Sequence, residues 1–381
     1  MSVLGQTEPK EVFRFFEEIS QIPRGTYNTK AVSDYCVNFA KERGLEVIQD
    51  EWNNVIMKKN GTAGYENSEP VILQGHLDMV CEKTADSDHD FMKDPIKLMV
   101  EDGYVTADGT TLGADNGIAV AMVLALLDSD TIPHPPIEAV FTVDEEVGMN
   151  GAMNIDLSPL KGTMLINLDS EEEDVLTAGC AGGFRFVCQI PVEREVMTAK
   201  GAEIEICGLL GGHSGVEIHK QRGNANKLAG RLLCHLRHVA EYALVETNGG
   251  SKDNVITLAN KIKIAAKDLA PLKAAVAEME AAWKVEFGAD EPGLAVKFTE
   301  LEEADYQVMT EASAKKVIAF LVNCPNGVDE YNRSLPGLVE TSDNLGVTET
   351  EEGCVRFMVL TRSGTASKLK SLKKNTDVLP T

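Results

Sequence analysis

The chain has 381 residues, of which 43% are hydrophobic and 25% are charged. This composition is typical of a soluble globular protein, and the length favours two domains over a single core. The 36 basic and 60 acidic residues give a net charge of −24. This charge argues against nucleic acid and anionic membranes as partners, and it favours small molecules or metal ions.

The cysteines and the N-terminal sequence indicate a reducing compartment. The eight cysteines show no CxxC spacing and several lie in apolar runs, so we expect reduced thiols rather than disulfides or a zinc ribbon. The N-terminus lacks the charged-then-apolar pattern of a signal peptide, and the longest apolar run, 117–127, is too short to cross a bilayer. We therefore expect a cytoplasmic protein with no membrane partner.

Residues 1–183 are predicted to form an α/β domain. Amphipathic patterns predict helices over 11–20 and 30–44, and an apolar helix is predicted over 116–127. Strands are predicted at four β-branched or apolar runs: 54–59, 71–78, 137–143 and 163–168. Strands that alternate with helices indicate a mostly parallel sheet, whose functional groups gather at the carboxyl ends of the strands.

Residues 184–363 are predicted to form a second domain of the α+β class, which follows the glycine cluster AGCAGG. Helices are predicted over 224–239, 270–286 and 310–323. Strands are predicted at seven runs: 184–190, 202–207, 243–246, 254–265, 294–300, 338–347 and 354–361. The Lys-rich segment 364–381 has little apolar periodicity and is expected to be a disordered or aberrant tail.

The strand-like run VILQGHLDMV carries His76 and Asp78 on one side, because residues two apart in a strand face the same way. Both side chains are costly to bury without a partner. An aspartate beside a histidine commonly orients an imidazole that binds metal. Taken alone, however, the pair favours a plainer explanation, a buried His–Asp pair with a structural role.

Three further stretches place acidic residues beside apolar elements. Asp115 and Asn116 precede the apolar helix in TTLGADNGIAVA. Glu145 and Glu146 follow a strand in FTVDEEVGMNGA, and Asp169 ends a strand in INLDSEE. Each stretch by itself is explained by a helix N-cap or a solvated acidic turn. In a parallel sheet, however, all these positions meet at one crevice.

Five carboxylates in one crevice require compensating positive charge, because close like charges raise each other's pKa. They are Asp78, Asp115, Glu145, Glu146 and Asp169. Two divalent cations supply +4 against the −5 of these five groups. Carboxylate and imidazole ligands suit zinc, manganese or cobalt. The pattern therefore predicts a binuclear metal centre.

Four motifs in this order, HLDMV, GADNGIA, DEEVGMNGA and INLDSEE, resemble the co-catalytic zinc peptidases of the aminoacylase/carboxypeptidase family. SQIPRGTYN and GGHSGVEIH are similar to its dipeptidase branch. The resemblance implies an α/β, mostly parallel-sheet catalytic domain with an inserted α+β lid that also forms a homodimer. It implies hydrolysis of dipeptides, including Xaa-His, by a metal-activated water.

The resemblance also implies the ligands of two divalent metal ions, with zinc expected and manganese or cobalt as alternatives. His76 and Asp169 bind one ion, Asp115 bridges both, and Glu146 binds the second. The peptide bond between Asp115 and Asn116 is cis in similar enzymes.

Two further acidic residues have catalytic roles by the same resemblance. Asp78 holds His76 in place. Glu145 is the general base, which takes a proton from the metal-bridging water and delivers it to the leaving amine.

Substrate contacts are implied in the lid. His213 in GGHSG matches a lid histidine that helps bind the substrate carbonyl or its oxyanion. Arg362, which ends the run VRFMVLTR, is placed to clamp a dipeptide carboxylate. Thr341 and Asn344 in ETSDNLG are weaker candidates. The plain alternatives are a surface histidine and a solvated arginine.

The sequence departs from the family at one point. The family adds a last histidine ligand for the second metal after the lid, whereas none of the seven histidines here lies beyond His238. We therefore expect a catalytic domain that is incomplete at its C-terminal end, and a second metal that binds weakly or is completed by water. Two alternatives to an active dipeptidase are a catalytically impaired remnant that still dimerises through its lid and an N-acyl amino acid amidohydrolase.

Overall fold

The computed structural model of the chain describes residues 2–170 and 174–376. Internal contacts divide the chain into two compact units, of which the first ends at Val175 and the second begins at Leu176. The functional domains proposed above, 1–183 and 184–363, remain a prediction, since compactness alone does not define them. Within the described residues, no helix combines the length and apolar character needed to cross a membrane.

The first unit contains helices packed on a mixed sheet. Its helices are α1 (Lys10–Ser20), α2 (Lys30–Glu42), α3 (Ala114–Asp128) and α4 (Asn150–Asn154). Its strands are β1 (Glu46–Gln49), β2 (Val55–Lys59), β3 (Val71–His76), β4 (Leu98–Glu101), β5 (Tyr104–Ala107), β6 (Ile137–Thr142) and β7 (Met164–Asn167). The apolar faces of α1 and α2, including Phe15, Phe16 and Phe39, bury themselves in the core of this unit.

The main sheet of this unit has the strand order β1-β2-β6-β3-β7. Strand β3 pairs in parallel with both β6 and β7, as the alternation of strands and helices predicts. The hairpin β1-β2 joins the other side of β6 in antiparallel fashion, so the sheet is parallel only where it carries the predicted site. Strands β4 and β5, which the sequence patterns did not reveal, form a separate hairpin.

The register of the parallel strands brings their carboxyl ends to one edge of the sheet. His76 of β3 lies opposite Thr142 of β6, and Gln74 lies opposite Asn167 of β7. The residues that follow these three strands therefore emerge side by side.

The second unit is an antiparallel sheet with helices on one face. Its helices are α5 (Ala225–Val239), α6 (Ala270–Phe287), α7 (Glu311–Asn323) and α8 (Ala366–Thr376), with short 3₁₀ helices at Ile218–Lys220 and Gly288–Asp290. Its strands are β8 (Gly182–Pro191), β9 (Arg194–Cys207), β10 (Ala243–Gly249), β11 (Asn260–Ala266), β12 (Ala295–Met309), β13 (Gly327–Tyr331), β14 (Val339–Thr350) and β15 (Cys354–Ser363).

The strands of the second unit are ordered β12-β9-β11-β10-β14-β15-β8, and β13 pairs with the first part of β14. Alternate residues of β15 are buried, and Phe357 packs into a core that contains Trp283 of α6 and Leu321 of α7. This arrangement confirms the α+β class expected for the second half of the chain. All eight cysteines lie within the described residues, and they are free.

Three predicted elements of the second unit differ from the structure. The strand predicted over 254–265 begins only at Asn260, because the backbone before it pairs with a loop: Ser214 donates to Asn254 O and Ile256 donates to Gly212 O. Strands β9 and β12 are longer than predicted, since they pair with each other as far as Arg194 and Met309.

The prediction of a disordered tail is wrong for residues 366–376, which form helix α8. Leu369 and Leu372 lie three residues apart and are half-buried, and α8 packs beside β8 and β15. The helix was not predicted because its short apolar stripe lies in a Lys-rich segment. Residues 377–381 of the predicted tail lie outside the described part of the chain.

Candidate metal centre

His76 is the last residue of β3, and its two ring nitrogens face different partners. Nδ1 lies 3.1 Å from the carbonyl oxygen of Asp78 and 3.3 Å from Oδ1 of the same residue. A proton on Nδ1 satisfies this contact and leaves the lone pair of Nε2 available for a metal. Both side chains are almost fully buried. The predicted pairing of these two residues is therefore present.

Nε2 of His76 points towards three carboxylates. It lies 3.1 Å from Oδ1 of Asp115, 3.8 Å from Oε2 of Glu145 and 3.9 Å from Oδ1 of Asp169. His76, Asp115 and Glu146 also offer ligand atoms that all lie within 4.8 Å of one another. All the residues that were predicted for the metal and catalytic positions thus meet at one edge of the sheet.

Asp78 joins the end of β3 to the acidic turn after β6. Its Oδ1 accepts a hydrogen bond from the backbone amide of Glu145 at 3.1 Å, and its Oδ2 accepts one from the amide of Glu146 at 3.4 Å. The hydroxyl of Thr26 donates to Oδ2 at 3.0 Å. Burial opposes the charge of Asp78, but the hydrogen bonds from His76 and the Glu145 amide outweigh it and lower the pKa of this carboxyl group.

Asn116 links the ends of β3 and β7. Its Oδ1 accepts from the backbone amide of His76 at 3.1 Å, and its Nδ2 donates to Leu168 O at 3.0 Å and to Oδ1 of Asp169 at 3.2 Å. The peptide bond between Asp115 and Asn116 is cis, as the family resemblance implies.

The side chains of Asp115 and Asn116 contact the ends of β3 and β7, so they do more than a helix cap does. Gly113 occupies the N-cap position of α3, and no side chain caps this terminus. Both residues instead have non-helical backbone angles, which direct the side chain of Asp115 towards His76.

The turn after β6 brings Glu145 and Glu146 to the same cluster of side chains. Asp144 begins this turn in the left-handed region, at φ 54°, and its side chain accepts a hydrogen bond from the amide of Tyr27. Burial and the neighbouring charges of Asp115 and Glu145 raise the pKa of Glu146 to about 7. Burial also raises the pKa of Glu145; His76 opposes this rise and Asp169 adds to it. The two glutamates are therefore not merely solvated acids.

The pKa of His76 reflects the carboxylates that surround its imidazole. Burial disfavours the imidazolium, but the hydrogen bond with Asp78 and the charges of Asp78, Asp169 and Glu145 raise the pKa of His76 to about 9. A divalent cation would relieve the same repulsion by replacing the proton.

The donor set fits a transition metal. Imidazole nitrogen and carboxylate oxygen are ordinary zinc ligands, and two ligands about 2.0 to 2.1 Å from a tetrahedral ion lie about 3.3 Å apart. The 3.1 Å and 3.9 Å distances from Nε2 of His76 to Asp115 and Asp169 bracket this value. The residues present can therefore hold a divalent ion with little rearrangement.

Arg24 is the main residue of this region that sequence reasoning missed. It is 2% exposed, and its guanidinium donates to the carbonyls of Leu77, Asp78 and Gly113, next to the predicted ligands. It belongs to the stretch SQIPRGTYN, which was noted only for its resemblance to the dipeptidase branch. No spacing rule connects position 24 to the ligands, because the contact forms only in the folded chain.

The predicted substrate residues lie in the second unit. Arg362 is half-buried and donates to the hydroxyl of Ser214 at 2.8 Å. A Cβ on Gly215 would lie 3.0 Å from the His213 ring and 3.2 Å from the Arg362 guanidinium, so the histidine and the arginine flank this glycine. His213 is exposed, and its Nδ1 accepts from the amide of Val216.

Thr341 and Asn344 are buried within the second unit. The hydroxyl of Thr341 lies 3.0 Å from that of Ser363. Nδ2 of Asn344 donates to the carbonyls of Asp253 and Val255 at 2.6 Å and 2.9 Å. Both side chains thus have structural partners, and their role as substrate contacts stays a prediction.

Comparison with known proteins agrees with this geometry. Residues 72–233 match the model of peptidase family M20/M25/M40. The chain is 39% identical over 367 residues to the cytosol non-specific dipeptidase of Escherichia coli K12, an alignment that covers 95% of this chain and 76% of that protein. It is 26% identical to the uncharacterized protein YqjE of Bacillus subtilis, over 75% of this chain and 74% of that one.

The crystal structure of aminoacylhistidine dipeptidase from Vibrio alginolyticus superposes with a TM-score of 0.80 at 39% identity. The superposition covers 99% of this chain and 77% of that one. It confirms the fold class expected from the sequence, a catalytic α/β domain with an α+β lid. By sequence and by fold, the chain belongs to peptidase family M20/M25/M40.

Proposed function

We propose that this protein is a metal-dependent dipeptidase that hydrolyses dipeptides, including Xaa-His. The observation that carries the proposal is the position of His76. Its Nδ1 faces Asp78, while Nε2 lies 3.1 to 3.9 Å from Asp115, Glu145 and Asp169. The dipeptidase names of the relatives from E. coli and V. alginolyticus support the substrate class.

The proposed site holds two divalent ions, preferably zinc. His76 and Asp169 would bind one ion, Asp115 would bridge both, and Glu146 would bind the second. Bound divalent ions supply a water of near-neutral pKa and polarise the scissile carbonyl.

Glu145 is the proposed proton carrier. Its raised pKa brings the carboxylate closer to the operating pH, where a general base and its conjugate acid both serve efficiently. Glu145 would take the proton of the attacking water and deliver it to the leaving amine. Asp78 would hold both His76 and Glu145 in position for this step, because its carboxylate faces Nδ1 of His76 and accepts a hydrogen bond from the Glu145 amide.

Arg362 and His213 of the second unit are the proposed substrate contacts. The guanidinium would pair with the α-carboxylate of a dipeptide, and the imidazole would donate to the carbonyl oxygen or its oxyanion. Burial lowers the pKa of Arg362, but an arginine remains charged at neutral pH. We further propose a cytoplasmic homodimer that forms through the second unit.

One observation favours a second candidate, a catalytically impaired protein that keeps the dimerising unit. The proposed ligands of the second ion, Asp115 and Glu146, are both carboxylates, and Asp115 is more than half exposed. Carboxylates alone suit zinc less well than a ligand set that includes an imidazole.

Hydrolysis of a panel of dipeptides by zinc-loaded protein tests the leading proposal against the alternatives. Glu145→Gln should reduce kcat at least a hundredfold, since a positioned general base contributes about 10²- to 10⁴-fold. Glu101→Gln, a matched change at the exposed last residue of β4, should leave kcat unchanged. Activity that survives both E145Q and chelation would refute the proposal, and cleavage of N-acyl amino acids alone would favour an amidohydrolase.

A further inference from the structure

Arg24 belongs to the segment between α1 and α2, and its side chain contacts the backbone next to the proposed metal ligands. Its Nη1 donates to the carbonyl of Leu77 at 3.0 Å and to that of Asp78 at 3.3 Å, and its Nη2 donates to the carbonyl of Gly113. One guanidinium therefore joins the segment that follows His76 to the segment that precedes Asp115. The backbone joins these two segments only farther from the ligands, where Thr111 donates to Glu82 O and Lys83 pairs with Thr110.

The carbonyl of Asp78 is shared between Arg24 and His76. It accepts from Nη1 of Arg24, and it lies 3.1 Å from Nδ1 of His76. The position of this carbonyl helps to set the tilt of the imidazole ring, and Arg24 holds the carbonyl. The arginine is therefore one contact away from the imidazole of His76 on the β3 side, through Nδ1, and its contact at Gly113 lies two residues before Asp115 on the α3 side.

The chain leaves space for the guanidinium with two glycines. A Cβ on Gly113 would lie 2.6 Å from Nη2 of Arg24, and a Cβ on Gly117 would lie 2.5 Å from the same atom. These glycines flank Asp115 and Asn116. The GADNG sequence thus carries the proposed metal ligand Asp115, and its two glycines leave room for the guanidinium of Arg24.

Charge balance agrees with this arrangement. The five clustered carboxylates carry −5 when ionised, and Arg24 adds +1, which leaves −4 for two divalent ions to balance. Burial lowers the pKa of Arg24 to about 10, while the charges of Asp78 and Asp115 favour its ionised form. The arginine therefore stays charged at neutral pH.

We propose that Arg24 is a positioning residue of the metal centre, which fixes the spacing between His76 and Asp115 by bridging Leu77, Asp78 and Gly113. The inference rests on the proposed metal site and extends it to a residue that touches neither metal nor substrate. Its role differs from that of a simple counter-charge, because a positive charge near a cation by itself weakens metal binding.

Zinc titrated calorimetrically into the metal-free full-length protein separates these roles. Arg24→Lys keeps the charge but cannot span three carbonyls, and Arg24→Met removes both. Loss of an outer contact typically costs 10- to 100-fold in metal affinity, so both variants should bind the tighter zinc ion about tenfold more weakly. Cobalt in place of zinc should give a visible absorption spectrum that differs from that of the wild type.

Arg43 provides the control, because it is also a partly buried arginine of the first unit. It donates to Asp128 and to the carbonyl of Phe39, with no contact to the predicted ligands. R43K and R43M should leave zinc affinity unchanged even where they lower the melting temperature. Gly117→Ala would place a Cβ against Nη2 of Arg24 and should displace the guanidinium, so it should also weaken zinc binding. The test therefore does not depend on R24M folding.

Three results would overturn the inference. Unchanged zinc affinity in R24K, R24M and G117A would leave Arg24 with a role in folding only. Tighter zinc binding by R24M, with R24K like the wild type, would make it a counter-charge. A wild-type chain that binds no zinc would overturn the proposed metal centre together with this inference, whereas the first two results leave the proposed function intact.

Discussion

Asn116 accepts a hydrogen bond from the backbone amide of His76 at 3.1 Å, across a sequence separation of 40 residues. The same side chain donates to Leu168 and Asp169 beyond β7. The two strand ends are already paired in the sheet, and Asn116 fastens the first turn of α3 to both of them.

Replacing Asn116 tests this link. Asn116→Ala removes three hydrogen bonds in a buried place, and at roughly 0.5 to 1.5 kcal/mol each the metal-free protein should lose about 2 kcal/mol of unfolding free energy. Asn154→Ala, which removes one exposed hydrogen bond to Asn150, should cost far less. Urea denaturation followed by circular dichroism measures both, and equal losses would contradict the proposed link.

Asp78 offers a prediction about metal binding. Asp78→Asn cannot accept from both glutamate amides and His76 in the same way, so zinc affinity should fall about 10- to 100-fold. The control is Asp144→Asn, because Asp144 lies in the same turn and its carboxylate accepts from the amide of Tyr27 rather than from the glutamate amides. Calorimetric titration measures the zinc affinity of both variants. A D78N protein that binds zinc as tightly as D144N would refute the role of Asp78.

Gly113 should be intolerant of a side chain for two separate reasons. Its φ is +71°, and a Cβ would lie 2.6 Å from both Arg24 and the sulfur of Met79. Gly103 has a φ of +84° with nothing within 4 Å, so Gly103→Ala reports the backbone cost alone. Gly113→Ala should destabilise the protein by about 1 to 3 kcal/mol more than G103A, the usual cost of overpacking. A thermal denaturation series in which the two variants match would exclude crowding at Gly113.

The sequence predicted those parts of the site that depend on periodicity. Periodicity placed His76 in β3, and parallel pairing placed Asp169 and the DEE turn at the same edge. The strand was predicted to reach residue 78 but ends at His76, so strand alternation does not account for the contact between His76 and Asp78. The sequence could not reveal Arg24, because a guanidinium that binds three carbonyls leaves no spacing pattern. Nor did it predict β4, β5 or α8, whose short or weakly apolar segments become ordered by pairing and by tertiary packing.

Arg362 is predicted to recognise the free carboxylate of a dipeptide. Arg362→Met should raise KM for a dipeptide about tenfold or more, since a hydrogen bond to a charged group contributes roughly 1.5 to 3 kcal/mol. KM for the corresponding dipeptide amide should not change. Arg356→Met, on the same strand but paired with Glu351, is the control. An equal rise in KM for the amide would show that Arg362 supports the fold rather than the substrate.

Zinc binding by the wild type and by His76→Ala tests the central claim most directly. We expect calorimetry of the metal-free full-length protein to resolve two binding events, of which the tighter disappears in H76A while the circular dichroism spectrum stays the same. Absence of binding in the wild type, or the same tight event in H76A, would contradict a metal centre built on His76.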